Sequence, residues 1–213
     1  MSFKLFELLV QASIYTVAIS FVSILIGFAI AIALSGAMLS KSRLFSLPAN
    51  LFVSFFRGVP LLVQLLLIYN LLPVIGINVP SIVAAIVGLS LCTAAYQAEN
   101  LRGGFASVPH GYIESAEMLG LTPGQAFMRI KVPIALRLTF PALVNEAILI
   151  LKASSLMSVV GIVELTRMAQ DLAGSTFKPL EIFAAAGFLY LVINFVVART
   201  GGLIERSLPG VPR

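Results

Sequence analysis

The sequence predicts an all-α integral membrane protein with five transmembrane helices. Hydrophobic residues make up 59% of its 213 residues, charged residues only 11%, and the mean hydropathy is +1.04. A water-soluble domain of this length could not cover its surface with so few charges. Several apolar runs reach the ~20 residues that a helix needs to cross a bilayer. We therefore expect one transmembrane domain over residues 1–213, with little length left for a soluble catalytic domain.

Five apolar runs define the predicted spans, at about 10–39, 44–72, 81–100, 134–165 and 179–198. In the second run, Arg57, Gly58 and Pro60 interrupt the apolar sequence, and the proline should bend the helix because it removes a backbone donor. The fourth run is too long for one straight crossing and contains Pro141, where we expect a break or a kink.

The basic residues predict how these spans are oriented. With the N-terminus outside, the inner segments hold eight of the 14 lysines and arginines and the outer segments hold three. Cytoplasmic segments carry such an excess of positive charge. The eight are Lys41, Arg43, Arg102, Arg129, Lys131, Arg137, Arg206 and Arg213, and the three are Lys4, Arg167 and Lys178. The C-terminus is then cytoplasmic, and the polar segments 73–80 and 167–178 are outer loops. The net charge of +5 reflects topology, and we expect no nucleic-acid partner.

One polar segment, residues 102–133, separates the third span from the fourth and is called the elbow below. Its first part, GYIESAEML, predicts a short helix that ends at Gly120, where a left-handed C-terminal residue is favoured. Thr122, Pro123 and Gln125 then supply an N-cap, a first-turn proline and a capping-box partner for a second helix. The elbow should therefore be a rigid helix–turn–helix on the cytoplasmic side.

The elbow also carries the pattern E-x-A-x-x-x-G-x9-I-x-x-P, at Glu114, Ala116, Gly120, Ile130 and Pro133. This pattern resembles the EAA motif of importer-type ABC transporter permeases, with Ser115 in place of the first alanine and Val132 in place of the usual leucine. Three longer segments resemble permeases of the polar amino acid uptake family: FRGVPLLVQLLLIY, AAYQAENLRGGFASVPHGYIESAEMLGL and PALVNEAILILKASSLMSVVGIVEL. The resemblance covers roughly residues 16–172.

The resemblance implies the fold of a type I ABC importer permease in the bacterial cytoplasmic (inner) membrane. Its implied partners are a second permease subunit, identical or homologous, a dimer of cytoplasmic ABC ATPases and an extracytoplasmic solute-binding protein. The first elbow helix is the implied coupling helix: Glu114 meets the ATPase, Ala116 packs in its groove and Gly120 ends the helix, while Ser115, Ile130 and Pro133 complete the motif. The chain has no G-x-x-x-x-G-K-[ST] phosphate loop, so ATP and Mg belong to the partner ATPase and this chain needs no cofactor.

An amino acid crossing the bundle needs donors for its carboxylate and acceptors for its ammonium group. Glu146 is the best acceptor candidate, and the other candidates for the substrate pathway are Gln64, Gln97, Asn145, Ser154 and Arg57. Arg57 could equally lie near the cytoplasmic boundary, with its side chain extended so that the guanidinium reaches water. In the family-like segment LILKASSL an acidic residue often follows the lysine, whereas Ala153 does here, which suggests a pathway less tuned to basic substrates.

Three further expectations concern charged and competing features. Glu99 should pair with Arg102 at i, i+3, and an acidic group on another helix should neutralise Lys152. An intramembrane enzyme is disfavoured because the only histidine, His110, lies in the elbow and no metal-ligand spacing occurs. A secondary transporter and a structural or signalling membrane subunit remain as alternatives, which co-purification with an ATPase would discriminate. The sequence does not identify the solute.

Overall fold

A computed structural model describes the protein at residues 2–74, 76 and 78–207. Part of the predicted loop 73–80 and Arg213 of the predicted inner tail lie outside these described residues. Over the described residues the chain is helical, with four helices long and apolar enough to cross a membrane, or five if a bent helix pair forms one span. The predicted all-α membrane fold is confirmed.

Nine α-helices and two short helices of other types follow one another along the described chain. The α-helices are α1 (Phe3–Met38), α2 (Arg43–Gly58), α3 (Leu61–Val74), α4 (Ser81–Ala106), α5 (His110–Met118), α6 (Pro123–Ala126), α7 (Val132–Ala153), α8 (Leu165–Thr176) and α9 (Pro179–Ser207). A π-helical turn, Phe127–Lys131, joins α6 to α7, and a 3₁₀-helix, Ser154–Val160, follows α7. Helices α1, α4 and α9 all extend beyond the predicted spans 10–39, 81–100 and 179–198.

The second predicted span is two helices, α2 and α3, which meet at 106°. Val59 between them is extended, with φ −95° and ψ 132°, because a residue that precedes a proline avoids the α conformation. The side-chain amide of Gln64 donates to the backbone oxygens of Phe56, at 2.8 Å, and Val59, at 2.7 Å. Pro60 therefore breaks the helix where a bend was expected, and Gln64 satisfies two carbonyls that the break leaves free.

The fourth span begins earlier than predicted and is not broken at Pro141. Helix α6, the π turn, α7 and the 3₁₀-helix form one continuous helical stretch of 38 residues from Pro123 to Val160, long and apolar enough to contain a membrane span, and α7 continues through Pro141. The helix changes from α to 3₁₀ geometry at Ser154. From there the hydroxyls of Ser154, Ser155 and Ser158 each donate to the backbone oxygen three residues earlier. Such back-bonding competes with the α-helical pattern. The 3₁₀-helix ends at Gly161, whose φ of +81° favours glycine.

The segment 167–178 was predicted to be a loop, and this prediction is wrong over most of its length because α8 spans Leu165–Thr176. Its buried residues Leu165, Ala169 and Ala173 recur every four positions and therefore share one helical face. They pack with Leu9 of α1 and Ile182 of α9 in one apolar cluster. Helix α8 therefore covers the ends of α1 and α9.

Two further apolar clusters fix which elements lie at the same end of the bundle. Ala31 of α1, Val53 of α2 and Leu101 of α4 pack together near the C-terminal ends of α1 and α4. The elbow begins in the last turn of α4, so it lies at this end, opposite to α8. A middle cluster, which includes Leu89 and Met157, joins α1, α3, α4 and the fourth span between the two ends.

Helices α4 and α7 approach closely at Gly104. A Cβ atom at this position would overlap the Thr139 hydroxyl and would lie 2.9 Å from the backbone oxygen of Ala135. Small residues permit this kind of close helix packing in membranes. Helices α4 and α7 therefore pack tightly against each other where the elbow joins the bundle.

Candidate functional site

Helix α5 of the elbow ends in a Schellman motif centred on Gly120. The Gly120 N–H donates to the Glu117 oxygen at 2.9 Å, and the Leu121 N–H donates to the Ala116 oxygen at 3.1 Å. Gly120 has a φ of +76°, the left-handed conformation that this motif requires. The predicted stop at Gly120 is confirmed.

Helix α6 begins with the predicted capping box. The Gln125 N–H donates to the Thr122 hydroxyl oxygen at 3.4 Å, and the Thr122 N–H donates to the Gln125 side-chain oxygen at 3.0 Å. Pro123 occupies the first turn, where its missing donor costs nothing. Both sides of the turn between α5 and α6 are therefore fixed by local hydrogen bonds, which makes the elbow rigid.

The exposed face of α5 differs from the expected one. Ala116 is only 2% exposed and packs against its own chain, so it is not available to enter a groove of another protein. Glu114 is exposed, as is Ser115, whose hydroxyl donates to the Gly111 oxygen at 2.7 Å. Met118 and Leu119, at the tip, are 91% and 81% exposed. The sequence analysis missed this pair, although two adjacent large apolar residues in a polar segment are a usable signal.

The last two motif residues, Ile130 and Pro133, belong to the base of the fourth span. Ile130 lies in the π turn and is half-buried, and Pro133 lies in the first turn of α7 and is exposed. The ring of Phe127 in this turn stacks on Phe105 at the end of α4, with 5.7 Å between ring centroids. The first and last parts of the elbow are thus in direct contact.

A charged cluster lies where the broken second span meets α4. Glu99 accepts two hydrogen bonds from the guanidinium of Arg102, one of them at 3.0 Å from Nε, which confirms the predicted pair. Arg57, at the end of α2, lies 3.7 Å from the same carboxylate and stacks over the Tyr96 ring at 5.5 Å. The structure therefore gives Arg57 a protein partner as well as solvent exposure.

Glu146 lies in the wall of a cavity of about 250 Å³ between α3, α4 and α7. Glu146 is only 5% exposed, and Arg57 lies over the ring of Tyr96, which lines the same cavity. Ala153, the residue that follows Lys152, lines the same cavity, as do Tyr96 and Cys92. The cavity thus brings together a buried acceptor, an aromatic ring and a nearby cation.

The other pathway candidates do not join Glu146 in this cavity. Gln64 uses both amide hydrogens to hold the break between α2 and α3, and Gln97 donates to the Thr93 hydroxyl at 3.0 Å. Ser154 is fully buried and donates to the Leu151 oxygen at 2.8 Å. Asn145 is exposed on α7. Gln64, Gln97 and Ser154 therefore connect parts of the bundle internally.

Sequence reasoning also missed a buried carboxylate at the end of the bundle opposite to the elbow. Glu164 is fully buried and accepts hydrogen bonds from the N–H groups of Thr166, at 2.9 Å, and Arg167, at 2.8 Å, and from the Tyr190 hydroxyl, at 3.0 Å. The first N–H of α8 donates to the Thr16 hydroxyl at 3.0 Å. Burial raises the pKa of the Glu164 carboxyl, while the backbone N–H groups favour its charged form. This network fixes α8 to α1 and α9.

The described chain is a multi-pass helical bundle with a capped polar elbow at one end, which defines an integral membrane protein. A profile of the family described as "Binding-protein-dependent transport system inner membrane component" matches residues 23–209. The chain belongs to this family. It is a permease subunit of an ABC transporter and not an enzyme; its partners include a binding protein and an ATPase that uses the nucleotide.

Similar proteins come from several bacteria. The nopaline transport system permease protein of Agrobacterium fabrum is 40% identical over 94% of this chain and 87% of its own length. The arginine transport system permease protein of Bacillus subtilis is 35% identical over 91% and 89%. A crystal structure of an amino acid ABC transporter with histidines superposes with a TM-score of 0.90 at 34% identity, over 95% of this chain and 94% of that chain. The predicted permease fold is confirmed.

Proposed function

We propose that this protein moves a polar amino acid or a close derivative into the cytoplasm, with the elbow as the surface that receives the movement of an ATPase dimer. The observation that carries the proposal is the elbow itself. Its turn is fixed on both sides by caps, and it presents Met118 and Leu119 almost fully exposed at its tip. Large apolar side chains exposed in this way mark a protein contact.

The elbow suits this role because the end of α4, where it begins, contacts the start of the fourth span, where it ends. The stacked rings of Phe105 and Phe127 and the close approach at Gly104 join α4 to the fourth span. ATP-driven closure of the ATPases would then move two packed helices together. A partner can shift a bundle between two states only through contacts that differ between those states, and ATP binding supplies that difference.

The orientation that follows has the N-terminus outside and the elbow and C-terminus in the cytoplasm. The excess of basic residues at the elbow end, such as Arg102, Arg129 and Lys131, supports it. The solute-binding protein then meets the end that carries α8, and a second permease subunit, identical or homologous, completes the pathway.

For the substrate, we propose that Glu146 accepts the ammonium group of the solute in its cavity. Relatives that move nopaline, arginine and other amino acids support the substrate class. Ala153 stands where an acidic residue would favour a solute with a cationic side chain. We therefore expect that uptake of arginine does not exceed uptake of neutral polar amino acids such as glutamine. A strong preference for labelled arginine would contradict this part of the proposal.

The elbow is tested by comparing two leucines of similar exposure at opposite ends of the bundle. Leu119 is 81% exposed on the elbow, and Leu180 is 85% exposed at the start of α9. Leu119→Ser should reduce both co-purification of the ATPase and its stimulation by the binding protein, whereas Leu180→Ser should leave the bound ATPase unchanged. If the wild-type complex contains no ATPase, the chain acts as a structural or signalling subunit and the transport proposal fails.

A further inference from the structure

Helix α2, the first part of the bent second span, carries its polar residues in one stripe. They recur three or four positions apart, so they share one face of a helix that is roughly 24 Å long. This α2 stripe consists of Arg43, Ser46, Asn50, Ser54 and Arg57. Ser46 is half-buried, and the other four residues are exposed. A polar face left open in a membrane span contacts water or protein, because hydrocarbon cannot solvate it.

The other two sides of α2 are apolar and have different surroundings. On one side Ala49 and Val53 are buried, and Val53 packs with residues of α1 and α4. On the other side Leu47 and Leu51 are 60% and 62% exposed. Leu51 lies about 100° around the helix from its neighbour Asn50 in the α2 stripe. The stripe therefore lies between the packed side of α2 and an open apolar side.

One end of the α2 stripe reaches the wall of the Glu146 cavity. The guanidinium of Arg57 lies 5.5 Å from the centroid of the Tyr96 ring, and this ring lines the cavity. The other end of the stripe lies at the end of the bundle that carries the elbow. Val53 packs there with Leu101, and Arg43 starts the same helix further toward that end. The stripe thus runs from the cavity to the end that is cytoplasmic in the orientation proposed above.

The polar side chains between the two arginines have no partner outside α2. The Asn50 amide donates to the Ser46 backbone oxygen at 2.6 Å, within the helix. The Ser54 side chain is exposed and forms no hydrogen bond with the residues that the structure describes. A second subunit packed on the stripe would have to remove water from these groups and from both arginines, whereas the centres of subunit interfaces are depleted of charge. Water therefore accounts for the stripe better than a protein contact does.

Arg57 and Lys152 are two cations at membrane depth with different surroundings. Lys152 is exposed on α7 and forms no ion pair with a residue that the structure describes, so the predicted acidic partner is missing from the described chain. Arg57 lies 3.7 Å from the Glu99 carboxylate and over the Tyr96 ring. These contacts hold Arg57 beside the Glu146 cavity, where the α2 stripe begins.

We propose that the α2 stripe lines the water-filled path by which the solute leaves the Glu146 cavity for the cytoplasm. The proposal rests on the amino acid transport proposed above and adds the exit to it. Arg57 stands where the cavity opens into this path, and Ser54 and Asn50 follow it toward the elbow end. Hydroxyl and amide groups exchange hydrogen bonds with water and with a polar solute alike, and a path that binds its solute weakly lets it leave.

The test measures whether a polar reagent reaches the α2 stripe. Single cysteines replace adjacent residues of α2 that lie at nearly the same depth but on different sides: Asn50→Cys is compared with Leu51→Cys, and Ser54→Cys with Phe55→Cys. Leu51 and Phe55 are 62% and 51% exposed, so both control positions are open in the chain itself. Complexes of permease and ATPase in lipid nanodiscs are treated with an anionic, membrane-impermeant methanethiosulfonate. Peptide mass spectrometry separates the introduced cysteine from the buried native Cys92.

We expect the cysteines of the α2 stripe to react roughly 10-fold or more faster than their neighbours, because only the thiolate reacts and its charge needs water. After unfolding in detergent, all four should react alike.

The second measurement is uptake into proteoliposomes, with the binding protein, of whichever of the twenty L-amino acids the wild type takes up fastest. The modified Ser54→Cys complex should lose most of its uptake. Lys41→Cys, in the exposed loop before α2, should react quickly and keep it. If the stripe cysteines react no faster than their neighbours, lipid or a second subunit covers the stripe, and the exit proposal is overturned while the transport function stands. It is equally overturned if the modified Ser54→Cys complex keeps full uptake. If the unmodified wild-type complex takes up no amino acid, both proposals fail.

Discussion

Substitutions of Gly120 test the effect of backbone strain at the elbow without the effect of steric overlap. A Cβ atom at Gly120 would meet no atom within 4 Å, so a side chain there causes no steric overlap. The φ of +76° remains, and this conformation costs an ordinary L-residue about 1–2 kcal/mol. Asparagine adopts it more readily than most residues, whereas a β-branched valine strongly disfavours it.

We therefore expect Gly120→Asn to resemble the wild type and Gly120→Val to open the Schellman motif. A difference of about 1–2 kcal/mol corresponds to roughly a 5- to 30-fold change in the ratio of open to closed elbow. The Gly120→Val variant should insert normally into the membrane but retain less ATPase and support less uptake. Membrane fractionation, co-purification and uptake of a labelled amino acid measure these three quantities.

Gly124→Val is the control, because Gly124 lies in helix α6 with open space around its Cβ position and no positive φ. It should retain more ATPase than Gly120→Val does. If Gly120→Val and Gly120→Asn behave alike, the left-handed turn is not what couples the elbow to the ATPase, and the reasoning is refuted.

Three other substitutions test the bundle that supports the elbow. Gln64→Leu should lower the thermal stability of the purified protein, because it leaves two carbonyls at the helix break without donors at about 1–3 kcal/mol each; an unchanged melting temperature would contradict this. Gly104→Leu should lower the melting temperature more than Gly103→Leu does, because a Cβ at Gly103 meets open space. Equal melting temperatures for the two variants would contradict the close approach of α4 and α7. Glu164→Gln should weaken α8, since an amide offers only one acceptor to the donors around it; faster hydrogen exchange confined to residues 165–176 is expected, and unchanged exchange would argue against the network.

The features predicted correctly from the sequence depend on residues that are close together in the chain. The capping box at Thr122 and Gln125 and the stop at Gly120 involve hydrogen bonds across at most five residues, so the residue types alone indicate them. The Glu99–Arg102 pair is likewise local. Local chemistry of this kind needs no knowledge of the tertiary packing.

The failures come from interactions that the sequence does not place. Pro60 and Pro141 look alike in a hydrophobic run, yet only Pro60 breaks its helix, because Gly58 precedes it and the Gln64 amide supports the sharp turn. The four-residue apolar repeat of α8 was present but was hidden among polar residues. Whether Lys152 is paired could not be known without the positions of all the acidic side chains.

The candidate site divides in the same way. The exposure of Glu114 agrees with the role its motif implies, but the exposed Met118 and Leu119 were missed, and the burial of Ala116 follows from the packing of α5 against the rest of the chain. Glu146 lines a cavity between α3, α4 and α7, and its role as the acceptor stays a prediction. Its predicted neighbours Gln64 and Ser154 do not line this cavity, because each donates to a nearby carbonyl that only the folded chain reveals.

The π turn at Phe127–Lys131 has a consequence for how the length of this region can vary. Its hydrogen bond from the Val132 N–H to the Phe127 oxygen spans five residues, so the turn holds one residue more than an α-helical turn would. Losing one residue here would convert the turn to ordinary α-helix and keep the helices on either side in phase. The same loss a few residues later, within α7, would rotate everything beyond it by about 100°. The loss of a single residue should therefore be accepted at this turn but not within α7.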